Sequence, residues 1–240
     1  MKIYYLKNSG FAVIKERTLL VFDYYKLSPE DGGFAEGVVP KDALLDFDRV
    51  YFFVSHKHED HFNKGIYDLD INPNTKYIVA LGTPKNERTE IRTALREADT
   101  YKDDFIKIYA GGSTDIGVSF VVDIDGIRIF HAGDLNCWHW HGEWKKEQEQ
   151  HERHLFTKAL GRLKGHAENT DVAFFPVDPR MQGPYDDGAK EFIEKFSPRY
   201  FIPMHCMNKY DVTDKFKAEN DSETTTVIAY HNRGEMMEIL

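Results

Sequence analysis

Residues 55–61 read Ser-His-Lys-His-Glu-Asp-His, placing His56, His58, Asp60 and His61 directly after the apolar run Val50-Tyr51-Phe52-Phe53-Val54. Three imidazoles and a carboxylate at this spacing cannot all point one way from a strand or from a helix. From a loop at the end of a buried strand they can converge. Imidazole and carboxylate together make a donor set for zinc, manganese or iron. Strand-end loops are also where a rigid scaffold presents reactive groups. Chance clustering on a solvated loop would account for a lone histidine, but not for four ligand residues in one heptapeptide.

The elements that must position these groups follow from the pattern of the chain. Residues 2–6, 11–15 and 18–23 are short β-type runs broken by Asn-Ser-Gly and Glu-Arg-Thr turns. Residues 27–48, with Pro29, Gly32, Gly33, Gly37 and Pro40, read as an irregular loop. Strands are expected at 49–55, 76–81, 106–109, 118–124, 127–131, 171–177, 200–204, 227–230 and 235–240. Asp125-Gly126 is a tight hairpin signal. Helices are expected over 62–69, 86–98 and 188–196. A further helix within 143–166 carries Leu155, Phe156, Ala159, Leu160 and Leu163 as an inward stripe. Asp134 and His205 then join His56 as candidates at strand ends. Side chains at the ends of neighbouring strands can meet without either strand deforming.

The His-x-His-x-Asp-His spacing resembles the first metal motif of the metallo-β-lactamase superfamily. Met1–Tyr24, with Asn8-Ser9-Gly10-Phe11 and Val21-Phe22-Asp23, is similar to that family's opening strands. His131-Ala132-Gly133-Asp134 resembles its bridging-aspartate motif, and Pro203-Met204-His205 its final histidine motif. Phe175-Pro176-Val177 with Ile202-Pro203-Met204-His205 most resembles the branch that includes ascorbate-6-phosphate lactonase-like and related hydrolases. These landmarks span nearly the whole chain, in the family's order.

The resemblance implies an α/β (α+β) fold, a four-layer αββα sandwich of two mixed sheets flanked by helices, over residues 1–240 as one domain. It implies that His56 and His58 hold a first metal, that Asp60, His61 and His205 hold a second, and that Asp134 bridges them. One or two divalent metals are expected, zinc first, with manganese or iron as alternatives. The implied reaction is hydrolysis of a lactone, ester or phosphoester by a metal-bound hydroxide. Asp60, His131, His139 and His141 are the candidate catalytic groups, the three histidines as proton donors to the leaving group. Trp138, Trp140 and Trp144 are equally readable as cleft wall and as core.

The sequence departs from the family at one place. The usual pattern has a further histidine before the bridging aspartate, whereas no histidine lies between His61 and His131. The matching region reads Tyr109-Ala110-Gly111-Gly112-Ser113-Thr114-Asp115-Ile116-Gly117. Asp115, Cys137, His139 and His141 could replace the missing ligand. The blander readings are that Asp115 caps a turn, Cys137 is an inert buried thiol, and the two histidines line the pocket, which is the role favoured for them. The first metal site is accordingly expected to be the weaker.

Bulk properties narrow the function. The hydrophobic fraction of 41% suits a large core. The net charge of -9 disfavours a polyanion binder, because nucleic-acid affinity rests on phosphate neutralisation. Cys137 and Cys206 are too few for a disulfide framework and suit a reducing cytosol. The N-terminal residues lack a long apolar stretch, and no run approaches the ~20 apolar residues that span a bilayer. A cytoplasmic enzyme acting on a small-molecule substrate is expected, with no nucleic-acid or membrane partner; a homo-oligomer is compatible with the sequence. The alternatives are a nuclease or phosphodiesterase of the same fold, and a non-catalytic metal-binding regulator.

Overall fold

The computed structural model describes residues 1–85, 87–140 and 142–239. His141 therefore lies outside the described residues. The chain divides into two compact units, one of Met1–Leu95 with Tyr230–Leu240, the other of Arg96–Ala229.

The first unit contains β1 (Lys2–Lys7), β2 (Gly10–Lys15), β3 (Thr18–Phe22), β4 (Arg49–Val54), β5 (Thr75–Ala80) and β6 (Arg92–Leu95). With the closing strand Met236–Glu238 on the outer side of β1, they form one seven-stranded mixed sheet. β1, β2 and β3 are antiparallel neighbours, while β3, β4, β5 and β6 run parallel. Every residue of β3 is buried, as are five of the six in β4. A parallel strand covered on both faces reads as a continuous apolar run, and Val50–Val54 is one. Because β3 and β4 are parallel, with Phe22 opposite Phe53, their following loops leave from the same edge. That register sets Asp23 beside Ser55 and His56.

The second unit contains β7 (Thr100–Lys102), β8 (Ile106–Gly111), β9 (Ser119–Ile124), β10 (Ile127–His131), α1 (Lys146–Leu163), β11 (Val172–Pro176), α2 (Asp187–Phe196), β12 (Tyr200–Met204), α3 (Asp211–Asn220) and β13 (Thr226–Val227). Its seven strands form a second mixed sheet in sequence order. β7 to β10 are antiparallel and β10 to β13 parallel. The loops after β10, β11 and β12 leave one edge, and they carry Asp134, Asp178 and His205. The expected stripe on α1 is buried at Phe156, Ala159, Leu160 and Leu163, with Leu155 half-buried.

The two mixed sheets agree with expectation, and four details differ. Of the helix expected over 86–98, Asn86 lies outside the described residues and 87–98 do not form a helix: a 3-10 turn at Thr89–Ile91 leads into β6. β6 pairs in parallel with β5 from Tyr77↔Arg92 to Ala80↔Leu95, and ladder pairing outweighs the weak helix propensity of this segment. The helix expected over 62–69 is a 3-10 turn, Lys64–Leu69, in which the Asn63 side chain accepts from the Gly65 amide. β7 and α3 were not expected. α3 buries only Val212, Thr213 and Phe216, too narrow a stripe to stand out in a charged sequence. No helix among the described residues is long and apolar enough to cross a membrane.

Candidate metal centre

In the first unit the loop after β4 places its imidazoles around one buried carboxylate. Asp23 accepts from the Ser55 amide (2.7 Å) and the Ser55 hydroxyl (2.6 Å), and its Oδ2 also meets His61 Nδ1 at 2.8 Å. Ser55 Oγ lies 2.9 Å from His56 Nδ1. The proton inventory then fixes the tautomers. The hydroxyl proton of Ser55 goes to Asp23, so Nδ1–H of His56 must be the donor to Ser55 Oγ. Nδ1–H of His61 likewise donates to the Asp23 carboxylate. Both rings therefore carry their lone pair on Nε2, as imidazole ligands do when the other nitrogen is held by an oxygen.

The rings are close, with centroids 4.0 Å apart for His56 and His61, and 4.6 Å for His56 and His58. His56 and His61 are buried and His58 is exposed. Asp60 is half-buried, with Oδ2 accepting from Asn8 Nδ2 at 2.9 Å and lying 3.8 Å from His61 Nε2. Asn8 is itself set by the β1–β2 turn, where its amide donates to the Tyr5 hydroxyl at 2.8 Å. A Cβ at Gly10, just after it, would approach Lys7 O to 2.9 Å and Asp23 O to 3.0 Å, so this turn packs against the Asp23 backbone only with glycine there.

In the second unit Asp134 and His205 come together, with Oδ1 3.7 Å from Nε2. Asp178 Oδ2 accepts from His205 Nδ1 at 2.9 Å, again leaving the lone pair on Nε2. Arg180 backs Asp178 through Nε at 3.0 and 2.9 Å and through Nη2 at 2.5 Å. Burial acts to raise the Asp178 carboxyl, but hydrogen bonds from His205 and Arg180 outweigh it and hold the group below the usual carboxylate range. Trp138 Nε1 donates to the Asp134 carbonyl at 2.9 Å, and its ring lies 5.8 Å from that of His205, edge to face. Trp140 stacks on Trp138 at 6.1 Å, with Arg180 5.7 Å from the Trp140 ring centre. Asp23 and His205 both adopt left-handed backbone, with φ of 42° and 62°. Such strain costs on the order of 1 kcal/mol or more and concentrates at sites where a side chain must be aimed.

The remaining candidates are placed differently. His131 is fully buried, and its Nδ1 accepts from the Gly133 amide at 3.2 Å, which braces the turn leading to Asp134. His139 has Nδ1 2.8 Å from Cys137 O and Nε2 3.0 Å from Pro184 O. Both of its nitrogens thus face backbone carbonyls, which ties the ring to the scaffold rather than to a pocket. Cys137 is buried, and burial pushes its thiol up to about 11. A thiol so raised stays protonated at neutral pH and is a poor nucleophile.

The residues that sequence reasoning missed are the ones holding the rings: Asp23, Ser55, Asp178 and Arg180. The available signal was an acidic residue just past a buried strand, in Val21-Phe22-Asp23 and in Val177-Asp178. Asp178 also caps the turn Pro179–Met181, which is the ordinary reading of Asp-Pro.

No protein-family profile matches the chain. A protein of Thermococcus onnurineus (strain NA1) named UPF0173 metal-dependent hydrolase is 23% identical over 220 residues, covering 85% of this chain and 84% of that one. The structure of Igni18, a metallo hydrolase from the hyperthermophilic archaeon Ignicoccus hospitalis KIN4/I, matches with a TM-score of 0.62 at 17% identity, over 100% of this chain and 99% of that one. The metallo-β-lactamase fold protein YhfI from Bacillus subtilis matches with a TM-score of 0.61 at 12% identity, over 98% of each chain. The chain has the metallo-β-lactamase fold.

Proposed function

We propose that this protein is a metal-dependent hydrolase whose histidine–carboxylate clusters hold one or two divalent cations. The observation that carries the reading is the set of tautomers. His56, His61 and His205 each have Nδ1 engaged by an oxygen and offer Nε2, the arrangement by which proteins orient imidazole ligands. The donors are nitrogen and oxygen, a set that suits zinc first and manganese or iron as alternatives. His56 and His58 are assigned to a first cation, Asp60, His61 and His205 to a second, and Asp134 to both. When bound, such cations acidify water and polarise the oxygen of a carbonyl or phosphoryl group.

The chain's own residues do the rest. Asp23 fixes His61 directly and His56 through Ser55, and Asp178 fixes His205. Asn8 aims Asp60, the half-exposed carboxylate of the first cluster, which is the group assigned to move the proton to the leaving atom. Trp138 anchors the Asp134 loop and lays an apolar ring against His205, excluding water on that side. His131 and His139 serve as braces. The substrate is a small cytosolic lactone, ester or phosphoester, and the likeness of Phe175-Pro176-Val177 and Ile202-Pro203-Met204-His205 to the ascorbate-6-phosphate lactonase-like branch favours a lactone.

The test is a panel of lactones, esters and phosphodiesters, assayed before and after chelation and after return of zinc or manganese. Turnover should vanish with chelator, return with metal, and be largely lost in Asp134→Ala protein that remains folded. Chelator-insensitive turnover would refute the proposal. A fully loaded protein inactive on the whole panel would point to a regulatory role instead.

A further inference from the structure

We infer that Arg180 and the ring of Trp140 form a recognition site for an oxyanion of the substrate, a carboxylate or phosphate joined to a flat or apolar group. The inference rests on the hydrolase reading above and narrows its substrates to anionic ones. All of its residues belong to the second unit, on the loops that leave β10, β11 and β12 from one edge. There they close a ring of contacts. His205 meets Trp138 edge to face at 5.8 Å, and Trp138 stacks on Trp140 with the ring planes 8° apart. The Arg180 guanidinium lies 5.7 Å from the Trp140 ring centre, and its Nη2 comes back to 3.5 Å from His205 Nδ1.

Each member is held in place. Asp178 is fully buried and accepts from Nε and Nη2 of Arg180, while the Arg180 side chain stays 45% exposed. The Trp140 carbonyl accepts from the amides of Glu143 and Trp144 at 3.0 Å each. His139, just before it, lies 3.0 Å from Pro184 O, which ties the tryptophan loop to the loop of Arg180. Gln182, two residues past Arg180, has φ 57° and ψ 179°, a conformation adopted almost only by glycine. Strain of this kind gathers at ligand clamps. A counter-ion for Asp178 alone would need neither the aromatic face nor the strained turn, and a lysine would serve. A guanidinium is a planar fork that matches a carboxylate or phosphate, and one already ordered loses little freedom on binding. The indole adds a flat apolar surface for the group that carries the anion. An oxyanion seated there is beside His205, within one small molecule's length of a residue assigned to the metal.

The experiment titrates phenyl phosphate, benzoate, inorganic phosphate and the neutral benzamide into chelated full-length protein by calorimetry. Wild type, Arg180→Gln, Arg180→Lys and Trp140→Leu are compared, with thermal melting confirming that each is folded. Wild type should bind phenyl phosphate or benzoate about tenfold or more tightly than benzamide, the effect of a hydrogen bond to a charged group. Whichever of the two binds better identifies phosphate or carboxylate as the preferred anion, and inorganic phosphate, lacking the ring, should bind more weakly than phenyl phosphate. Arg180→Gln should lose that preference, and Arg180→Lys should recover only part of it. Trp140→Leu leaves the Asp178 contacts untouched and should weaken the aromatic anions about 2–10-fold. Wild-type protein that binds none of the probes, or binds benzamide as tightly as the anions, would overturn the inference. Wild-type affinities in both Arg180→Gln and Trp140→Leu would overturn it as well. Because the probes are titrated without metal, these failures strike the recognition site alone, whereas chelator-insensitive turnover strikes the hydrolase reading.

Discussion

Asp23 and Asp178 lie just beyond buried parallel strands, and both engage the Nδ1 of an imidazole, but they are compensated differently. Asp23 is almost wholly buried and accepts from an amide, a hydroxyl and His61. Asp178 is equally buried, yet it also accepts from Arg180, whose side chain is 45% exposed and carries the compensating charge out to water. The first arrangement spreads one carboxylate over two rings, directly to His61 and through Ser55 to His56. The second devotes one carboxylate to one ring. The first cluster is thus the more brittle, because its donors are buried and have no recourse to solvent.

Asp23→Ala is the sharpest way to break that comparison. It strands a buried amide, a hydroxyl and an imidazole N–H, and hydrogen bonds to charged groups are worth ~1.5–3 kcal/mol each. A loss on the order of 3 kcal/mol or more is expected in urea unfolding of metal-free protein, together with weakened binding of both cations. A loss below about 1 kcal/mol would mean that Asp23 is not the organiser.

Asp178→Asn should do less. Arg180 can hydrate when its partner is neutralised, so the cost in stability should be about half that of Asp23→Ala, while affinity for the cation assigned to His205 falls about 10–100-fold. The variant also has a pH signature. The folded Asp178 carboxyl is held below its ordinary value. Its contribution is therefore complete above an unfolded value of ~3.9 and is lost as pH falls through the lower folded value. Metal-free wild type should lose stability over that acid range more steeply than Asp178→Asn. Parallel acid limbs in the two unfolding curves would contradict the assignment.

The candidate ligands were legible in the sequence because their types are rare and their spacing is tight, as in His56-Lys57-His58-Glu59-Asp60-His61. The strands that carry them were legible because double-sided burial leaves long apolar runs such as Val50–Val54 and Val172–Pro176. The orienting groups were not, since Asp23 reads as the end of a strand and Asp178 as a cap on Pro179. Their roles depend on register between parallel strands, Phe22 against Phe53 and Pro176 against Met204, which no local pattern encodes. The same holds for β6, where pairing with β5 decided a segment that local propensity read as helix. His139 shows the same limit: a histidine beside tryptophans suggests a pocket, and no local pattern encodes the Cys137 and Pro184 carbonyls that lie within hydrogen-bond distance of its two nitrogens.

The most direct test of the central claim is anomalous diffraction from crystals grown with zinc or manganese. The account predicts two peaks about 3.5–4 Å apart, the separation of two-metal sites. His56 and His58 should lie around one, Asp60, His61 and His205 around the other, and Asp134 should touch both. Metal bound away from these residues, or two peaks too far apart to share Asp134, would contradict it.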